Sequence, residues 1–74
     1  MKIVSIKNKN ADISVCPQYL NKELDMDKCQ ITVGEPLGIV YKKGSSFNHE
    51  RVVSIESINN IIRVETIKKL WVIE

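Results

Sequence analysis

Residues 51–67 read Arg-Val-Val-Ser-Ile-Glu-Ser-Ile-Asn-Asn-Ile-Ile-Arg-Val-Glu-Thr-Ile, and this stretch decides the fold. Two runs rich in β-branched residues, which favour strands, flank the pair Asn59-Asn60. Asparagine tolerates positive φ, so this pair can form the type I′ turn that joins two strands into a tight hairpin. The stretch therefore predicts an antiparallel hairpin with Asn59 and Asn60 at its tip.

The two-residue turn also predicts the register of the hairpin. The expected cross-strand pairs are Ile58 with Ile61, Glu56 with Arg63, Ile55 with Val64, and Val53 with Thr66. This register joins opposite charges in one pair and turns Ile55, Val64 and Val53 to one inward face. A slip of one residue would destroy both features, because it moves every side chain to the other face. The alternative is a helix over residues 54–63, which the Asn pair and the β-branched density disfavour.

Other segments alternate apolar and polar residues, as strands do. They are residues 1–6, 12–16, 29–33, 37–41 and 70–73. The first two predict an N-terminal hairpin, with Ile3 on the face opposite Val4 and Ile6. Pro17 suits the start of a short helix, whose face would include Leu20 and Leu24. Residues 43–50 lack periodicity and are predicted to form a long loop.

Five or six short strands in 74 residues predict a mainly β antiparallel barrel or two-layer sandwich with one short helix. An SH3-like barrel is the leading expectation. Its features are a strand ending at Val33, a Gly-x-Pro turn, a long loop, a tight hairpin and a short final strand. Residues 1–74 are expected to form one small domain, because so short a chain supports one core. Architecture of this kind does not define a function.

Charge and composition exclude some classes of protein. Eleven Lys and Arg against nine Asp and Glu give a net charge of +2, too mild to indicate nucleic acid or membrane by itself. No apolar run approaches the roughly 20 residues of a membrane helix, and none resembles a signal peptide. We expect a cytoplasmic protein in which Cys16 and Cys29 are reduced core residues; a single disulfide between them is the alternative.

The sequence lacks the known catalytic and cofactor motifs. Its three glycines fit neither the dinucleotide fingerprint nor the phosphate-binding loop. His49 is the only histidine, and no residues have the spacing of structural zinc ligands. Cys29 and His49 could act as nucleophile and base, but no third group is indicated to orient them. The acidic residues between 23 and 27 lack the calcium-loop pattern. We expect no enzyme, no metal and no cofactor.

One cluster of basic residues follows from the predicted hairpin. Its register places Lys68 opposite Arg51, at the end of the domain where the predicted loop 43–50 begins and ends. The predicted binding residues are Lys42, Lys43, Phe47, His49, Arg51, Lys68 and Lys69. A basic end with an aromatic residue on a loop can hold phosphate or an acidic protein surface. The alternative is an ordinary solvated end, with Phe47 folded back onto the core.

These features predict a small non-enzymatic module that docks a protein partner, as an inhibitor or adaptor of the kind that phages and other mobile elements encode. A binder of nucleic acid or nucleotide phosphate through the same basic end is the first alternative. The sequence has four aromatic residues, which leaves few platforms for stacking bases. A homo-oligomer is the second alternative. It would use an exposed strand edge, or the face of Ile3, Ile61 and Ile73, which lies opposite the predicted core. In a sandwich, these three residues would pack internally instead.

Overall fold

Six antiparallel strands form one sheet in the computed structural model of the chain, which describes residues 1–74. The strands are β1 (Ile3–Asn8), β2 (Ala11–Ser14), β3 (Pro36–Val40), β4 (Ser46–Ile58), β5 (Ile61–Thr66) and β6 (Lys69–Ile73). Their order in the sheet is β2-β1-β6-β5-β4-β3. The predicted mainly β, antiparallel class is confirmed. The SH3-like form of the barrel stays a prediction.

The hairpin of β4 and β5 forms as the sequence predicts. Asn59 and Asn60 have φ values of 51° and 66°, the positive values that a type I′ turn requires. Three of the four predicted pairs are present: Ile58 with Ile61, Glu56 with Arg63, and Ile55 with Val64. The alternative helix over residues 54–63 is wrong, because β-branched strands joined by a positive-φ turn occupy that stretch.

The fourth predicted pair, Val53 with Thr66, is wrong. A β-bulge between Val52 and Ser54 places Val52 opposite Thr66. Val53 is the extra residue, and its side chain is 46% exposed while that of Val52 is buried. Ile55 lies opposite buried Val64 and therefore on the predicted face, although it is 39% exposed, so the prediction is wrong for Val53 alone. A bulge bends its strand and strengthens the local twist, and a period-two pattern does not reveal it.

The predicted N-terminal hairpin is confirmed, but the faces of β1 differ from the prediction. A second bulge, between Ile3 and Ser5, turns Ile3 and Ile6 to the same buried face. Ile73 lies opposite Ile3 and is also fully buried, whereas Ile61 is partly exposed. Ile3 and Ile73 therefore pack internally, which was the alternative, and do not form an exposed face. Oligomerisation through a strand edge stays a prediction.

The segment between β2 and β3 connects β1 to the end of β3. The Leu24 amide donates to the Met1 carbonyl over 2.8 Å, and the Asp25 amide donates to the Val40 carbonyl over 2.8 Å. These bonds bury the Leu24 side chain in the core. The one helical segment is a 3-10 turn at Pro17–Tyr19, so the helical face predicted for Leu20 and Leu24 is wrong. No helix is long and apolar enough to cross a membrane.

Two further segments differ from their predictions. Residues 29–33, predicted as a strand, contribute only an isolated bridge between Gln30 and Gly38. The predicted loop 43–50 is wrong, because β4 begins at Ser46 and runs for 13 residues. Its first half alternates half-buried Phe47 and His49 with exposed polar residues. Because His49 is not an apolar residue, a search for alternating apolar residues does not detect this pattern.

Trp71 anchors a core of ten buried hydrophobic residues. Its indole N–H donates to the hydroxyl of Thr66 over 2.9 Å. That hydroxyl donates to the Glu50 carboxylate over 2.7 Å, and the same carboxylate accepts the backbone N–H of Lys68 over 2.7 Å. A buried polar group without a partner is costly, so this chain of bonds stabilises the junction of β4, β5 and β6.

Replacing the hydroxyl of Thr66 tests that chain of bonds. Thr66→Val keeps the shape of the side chain but leaves the Trp71 N–H without an acceptor, and we expect a loss of about 1–3 kcal/mol in the free energy of unfolding. Urea denaturation measures it. Thr32→Val, at an exposed position, is the matched control and should change stability little. Equal stability of the two variants would contradict the role given to Thr66.

Candidate functional site

The fold divides the predicted basic end into two separate places. Lys42 and Lys43 follow β3 and line a depression whose other lysines are Lys2 and Lys22. Lys68 and Lys69 line a different depression, with Asn8, Asn10 and Ala11. Arg51 lies opposite Pro36, at the end of β3 away from Lys42 and Lys43, and it does not pair with Lys68 as predicted. The predicted convergence of all five basic residues is therefore wrong, because β4 continues through the region that was expected to be their common loop.

Phe47 belongs to the core and not to a surface loop. Its ring stacks on Tyr19 with 4.0 Å between centroids and an angle of 17° between planes. The centroids of Tyr41 and Trp71 lie 6.1 and 6.3 Å from it. These distances are typical of packed aromatic pairs. The alternative in which Phe47 folds onto the core is confirmed, although the residue is only half-buried.

His49 also faces the core. Its ring meets Trp71 edge to face, with 5.1 Å between centroids, and its Nδ1 atom is buried without a hydrogen-bond partner. Burial lowers the pKa of His49, the charge of Lys69 lowers it further, and the Glu50 carboxylate only partly opposes these two effects.

Cys29 does not bond to His49: its Sγ accepts a hydrogen bond from the Val40 amide over 3.3 Å. Both Cys16 and Cys29 are free thiols.

The neutral form of His49 gives stability a predictable pH dependence. The ordinary pKa is 6.5 and the folded value is lower, so the unfolded chain binds this proton first as pH falls. Stability should therefore be constant above about pH 7.5 and should decrease as pH falls through 6.5. Urea unfolding at several pH values measures this slope.

His49→Phe should remove that slope, because His49 is the only histidine of the chain. Glu50 does not interfere in this range. Burial opposes its ionisation, but hydrogen bonds from Thr66 and Lys68 and the charges of Lys69 and His49 hold its pKa below 4.5. The stability that Glu50 contributes is thus lost only in more acidic solution. An unchanged slope in the variant would show that His49 is not the titrating group.

The depression around Lys42, which we call the lysine pocket, has a volume of about 380 Å³. It is lined by Lys2, Asn21, Lys22, Glu23, Tyr41, Lys42, Lys43 and Ser45. Backbone contacts bring these residues together. Lys2 and Glu23 form a β-bridge, and the Lys42 amide donates to the Glu23 carbonyl over 3.0 Å. Three distant parts of the sequence thus meet at one place.

Positive charge dominates the lysine pocket. Its only carboxylate, Glu23, accepts a hydrogen bond from the N-terminal ammonium of Met1, and this bond holds the pKa of Glu23 below its usual value. The ammonium of Lys22 lies 5.6 Å from the centroid of the Tyr41 ring. The ion pairs of the structure are Met1–Glu23, Lys7–Asp12, Lys9–Glu65 and Lys28–Asp25. None of them includes a lysine of this pocket.

A second candidate surface lies along β4. β3 pairs with β4 only as far as Arg51, and the Val52 amide and carbonyl bond to Glu35 and Gly34. Beyond that point no strand lies on this side of β4, and we call residues 53–58 there the β4 free edge. Val53, Ile55 and Ile58 are 46%, 39% and 56% exposed along it. Unpaired backbone groups and apolar side chains thus occur on the same edge.

A groove of about 590 Å³ on the sheet opens beside the β4 free edge. Strands β1, β4, β5 and β6 all contribute to it, with Leu70, Val72, Arg63 and Ile55 among its lining residues. Leu70 is exposed within it. Arg63 and Glu56 are register partners, as predicted, but no ion pair within 4.0 Å joins them. Both charges are therefore free to meet groups outside the chain.

Sequence reasoning missed Lys2 and Lys22 in the lysine pocket, and it missed the β4 free edge. No local pattern signals the pocket, because its residues meet only through bridges between distant segments. The edge had no signal either, because residues 43–50 were predicted as a loop, and only the structure shows that β4 has 13 residues against five in β3 and six in β5. No group of three or more His, Cys, Asp and Glu side chains is placed to hold a metal ion.

Comparisons with protein-family models, curated proteins and solved structures find no match to this chain.

Proposed function

We propose that the protein is a small non-enzymatic module that docks a protein partner, and that an extended segment of the partner adds as a strand to the β4 free edge. The observation that carries the proposal is the coincidence of an unpaired strand edge with three exposed apolar side chains, Val53, Ile55 and Ile58. In strand addition, backbone hydrogen bonds supply affinity and alternate side chains supply specificity.

The other edges of the sheet are better protected. The side of β3 away from β4 meets bridges from Leu24 and Gln30. β2 forms the far edge but has only four residues. Natural proteins commonly protect their edges by short strands or by covering segments. The β4 free edge has neither protection, and this contrast supports a docking role for it.

The residues that line the groove beside the edge indicate which chemical groups a partner would carry. Glu65 is already bonded to Lys9 and to the Ser54 hydroxyl, and the Lys9 bond is the main cause of its lowered pKa. Arg63 lies in the groove without an ion pair. A partner strand with an apolar residue toward Leu70 and an acidic residue toward Arg63, which share one face of the sheet, would match this surface. Polar and charged groups around an apolar centre are usual in protein interfaces.

The nucleic-acid alternative has less support. Single-stranded nucleic acid is held by stacking its bases on exposed aromatic rings. Here Phe47 packs against all three other aromatic residues, Tyr19, Tyr41 and Trp71. Their mutual packing disfavours base stacking on these rings.

Charging the edge tests the proposal. Ile55→Glu places a carboxylate on the β4 free edge and should abolish partner binding with little loss of stability, because Ile55 is already exposed. Affinity-tagged wild-type protein and variants would be compared for the proteins they retain from native-host extract. Those proteins would then be titrated in purified form by calorimetry.

Ile13→Glu is the matched control, since Ile13 is 60% exposed on β2 at the opposite edge of the sheet. A partner that binds wild type and Ile13→Glu equally, but not Ile55→Glu, supports the proposal. Equal binding by Ile55→Glu would overturn it. A wild-type dimer in light scattering, made monomeric by Ile55→Glu alone, would show that the occupant of the edge is a second copy of the chain and would also overturn it.

A further inference from the structure

We infer that the lysine pocket binds a compact phosphate anion with two or more phosphate groups, such as inorganic pyrophosphate or the phosphate tail of a nucleotide. The pocket shares no residue with the β4 free edge or with the groove beside it. The inference is therefore independent of the proposed docking function.

The backbone holds the lysines of the pocket in a fixed arrangement. The turn after β3 is closed by a bond from the Gly44 amide to the Tyr41 carbonyl and by one from the Tyr41 amide to the Ser45 carbonyl, each 2.9 Å. Gly44 has a φ of 102°, which other residues rarely adopt, so the turn depends on glycine. Lys42 and Lys43 stand in this turn, directly beside the bridge of Lys2 and Glu23.

Charge is the reason to expect an anion. Four lysines and one glutamate line the pocket, and the glutamate already binds the Met1 ammonium. None of the four lysines forms an ion pair, and Glu23, which attracts Lys2 and Lys42, is the only carboxylate of the lining that offsets their charge. A polyanion relieves the repulsion among the lysines and gains charge-assisted hydrogen bonds from several ammonium groups at once.

Tyr41 supports one of these ammonium groups. Its hydroxyl donates to the Tyr19 carbonyl over 2.8 Å, which fixes the ring, and Lys22 lies over that ring at 5.6 Å. A cation over an aromatic face is held by the ring quadrupole. This contact holds the Lys22 ammonium near the pocket, although the residue is exposed to solvent.

The pocket favours the phosphate part of a ligand over a base. Tyr41 is the only apolar residue of its lining, and it is buried beneath Lys22. No ring is free for a base to stack on, whereas Asn21 and Ser45 can add hydrogen bonds to phosphate oxygens. The volume of about 380 Å³ lies within the range of small-ligand sites and suits a compact anion.

The test is a titration of isotope-labelled protein with sodium pyrophosphate, followed by amide NMR. We expect saturable shifts concentrated at residues 21–23 and 41–45. Lys22→Gln with Lys42→Gln should weaken binding about tenfold or more, since a hydrogen bond to a charged group contributes about 1.5–3 kcal/mol. Shifts spread over all lysines without saturation would overturn the inference.

Lys68→Gln with Lys69→Gln is the matched control, because it removes the same charge from the other basic depression. An equal loss of affinity in that variant would show a general charge effect and would overturn the inference. Adenosine, inorganic triphosphate and ATP distinguish the source of the phosphate. Binding of triphosphate and ATP alike, without adenosine, supports an inorganic polyphosphate, and tighter binding of ATP supports a nucleotide tail. Saturation by adenosine at the same residues would contradict recognition through phosphate.

Discussion

β4 pairs with two strands, one after the other along its length, and these two pairings determine where the neighbouring strands lie. Its first half pairs with β3 and its second half with β5. The two pairings can follow one another because the bulge at Val53 bends the strand between them. The same bend places Val52 in the core and brings Glu50 to Thr66, so that a polar chain reaches the Trp71 indole.

The β4 free edge is a consequence of this arrangement. A strand of 13 residues shared by partners of five and six residues, offset along its length, leaves an unpaired side on its second half. The bulge that joins the two pairings also turns Val53 outward. The feature that allows the fold therefore creates the surface to which we give a docking role.

The sequence predicted the fold where a local signal was strong. The Asn59-Asn60 turn determined the hairpin and three of its pairs, because positive φ at both residues permits few alternatives. The sequence could not reveal the two bulges. A bulge inserts one extra residue, which shifts the alternation of faces along the rest of the strand by one position. That limit explains the errors at Val53 and Ile3.

The candidate sites were harder to predict for a related reason. Lys42 and Lys43 were identified as binding residues, but their neighbours Lys2 and Lys22 come from segments joined only by isolated bridges. Phe47 and His49 looked like loop residues because polar neighbours separate them, yet they face Tyr19 and Trp71. Contacts between distant segments determine where these side chains lie, and the spacing of residues in the sequence does not reveal such contacts.

Amide hydrogen exchange on the free protein shows most directly whether the β4 free edge is open, because it reports which backbone N–H groups of β4 are paired. Every second amide within residues 53–58 should exchange rapidly, since it points to the open side. The amides of β5, which lies between β4 and β6, should be protected, as should that of Val52, which bonds to the Glu35 carbonyl over 2.9 Å. Uniform protection across residues 53–58 would mean that the edge is covered, and it would contradict both the open edge and the docking role derived from it.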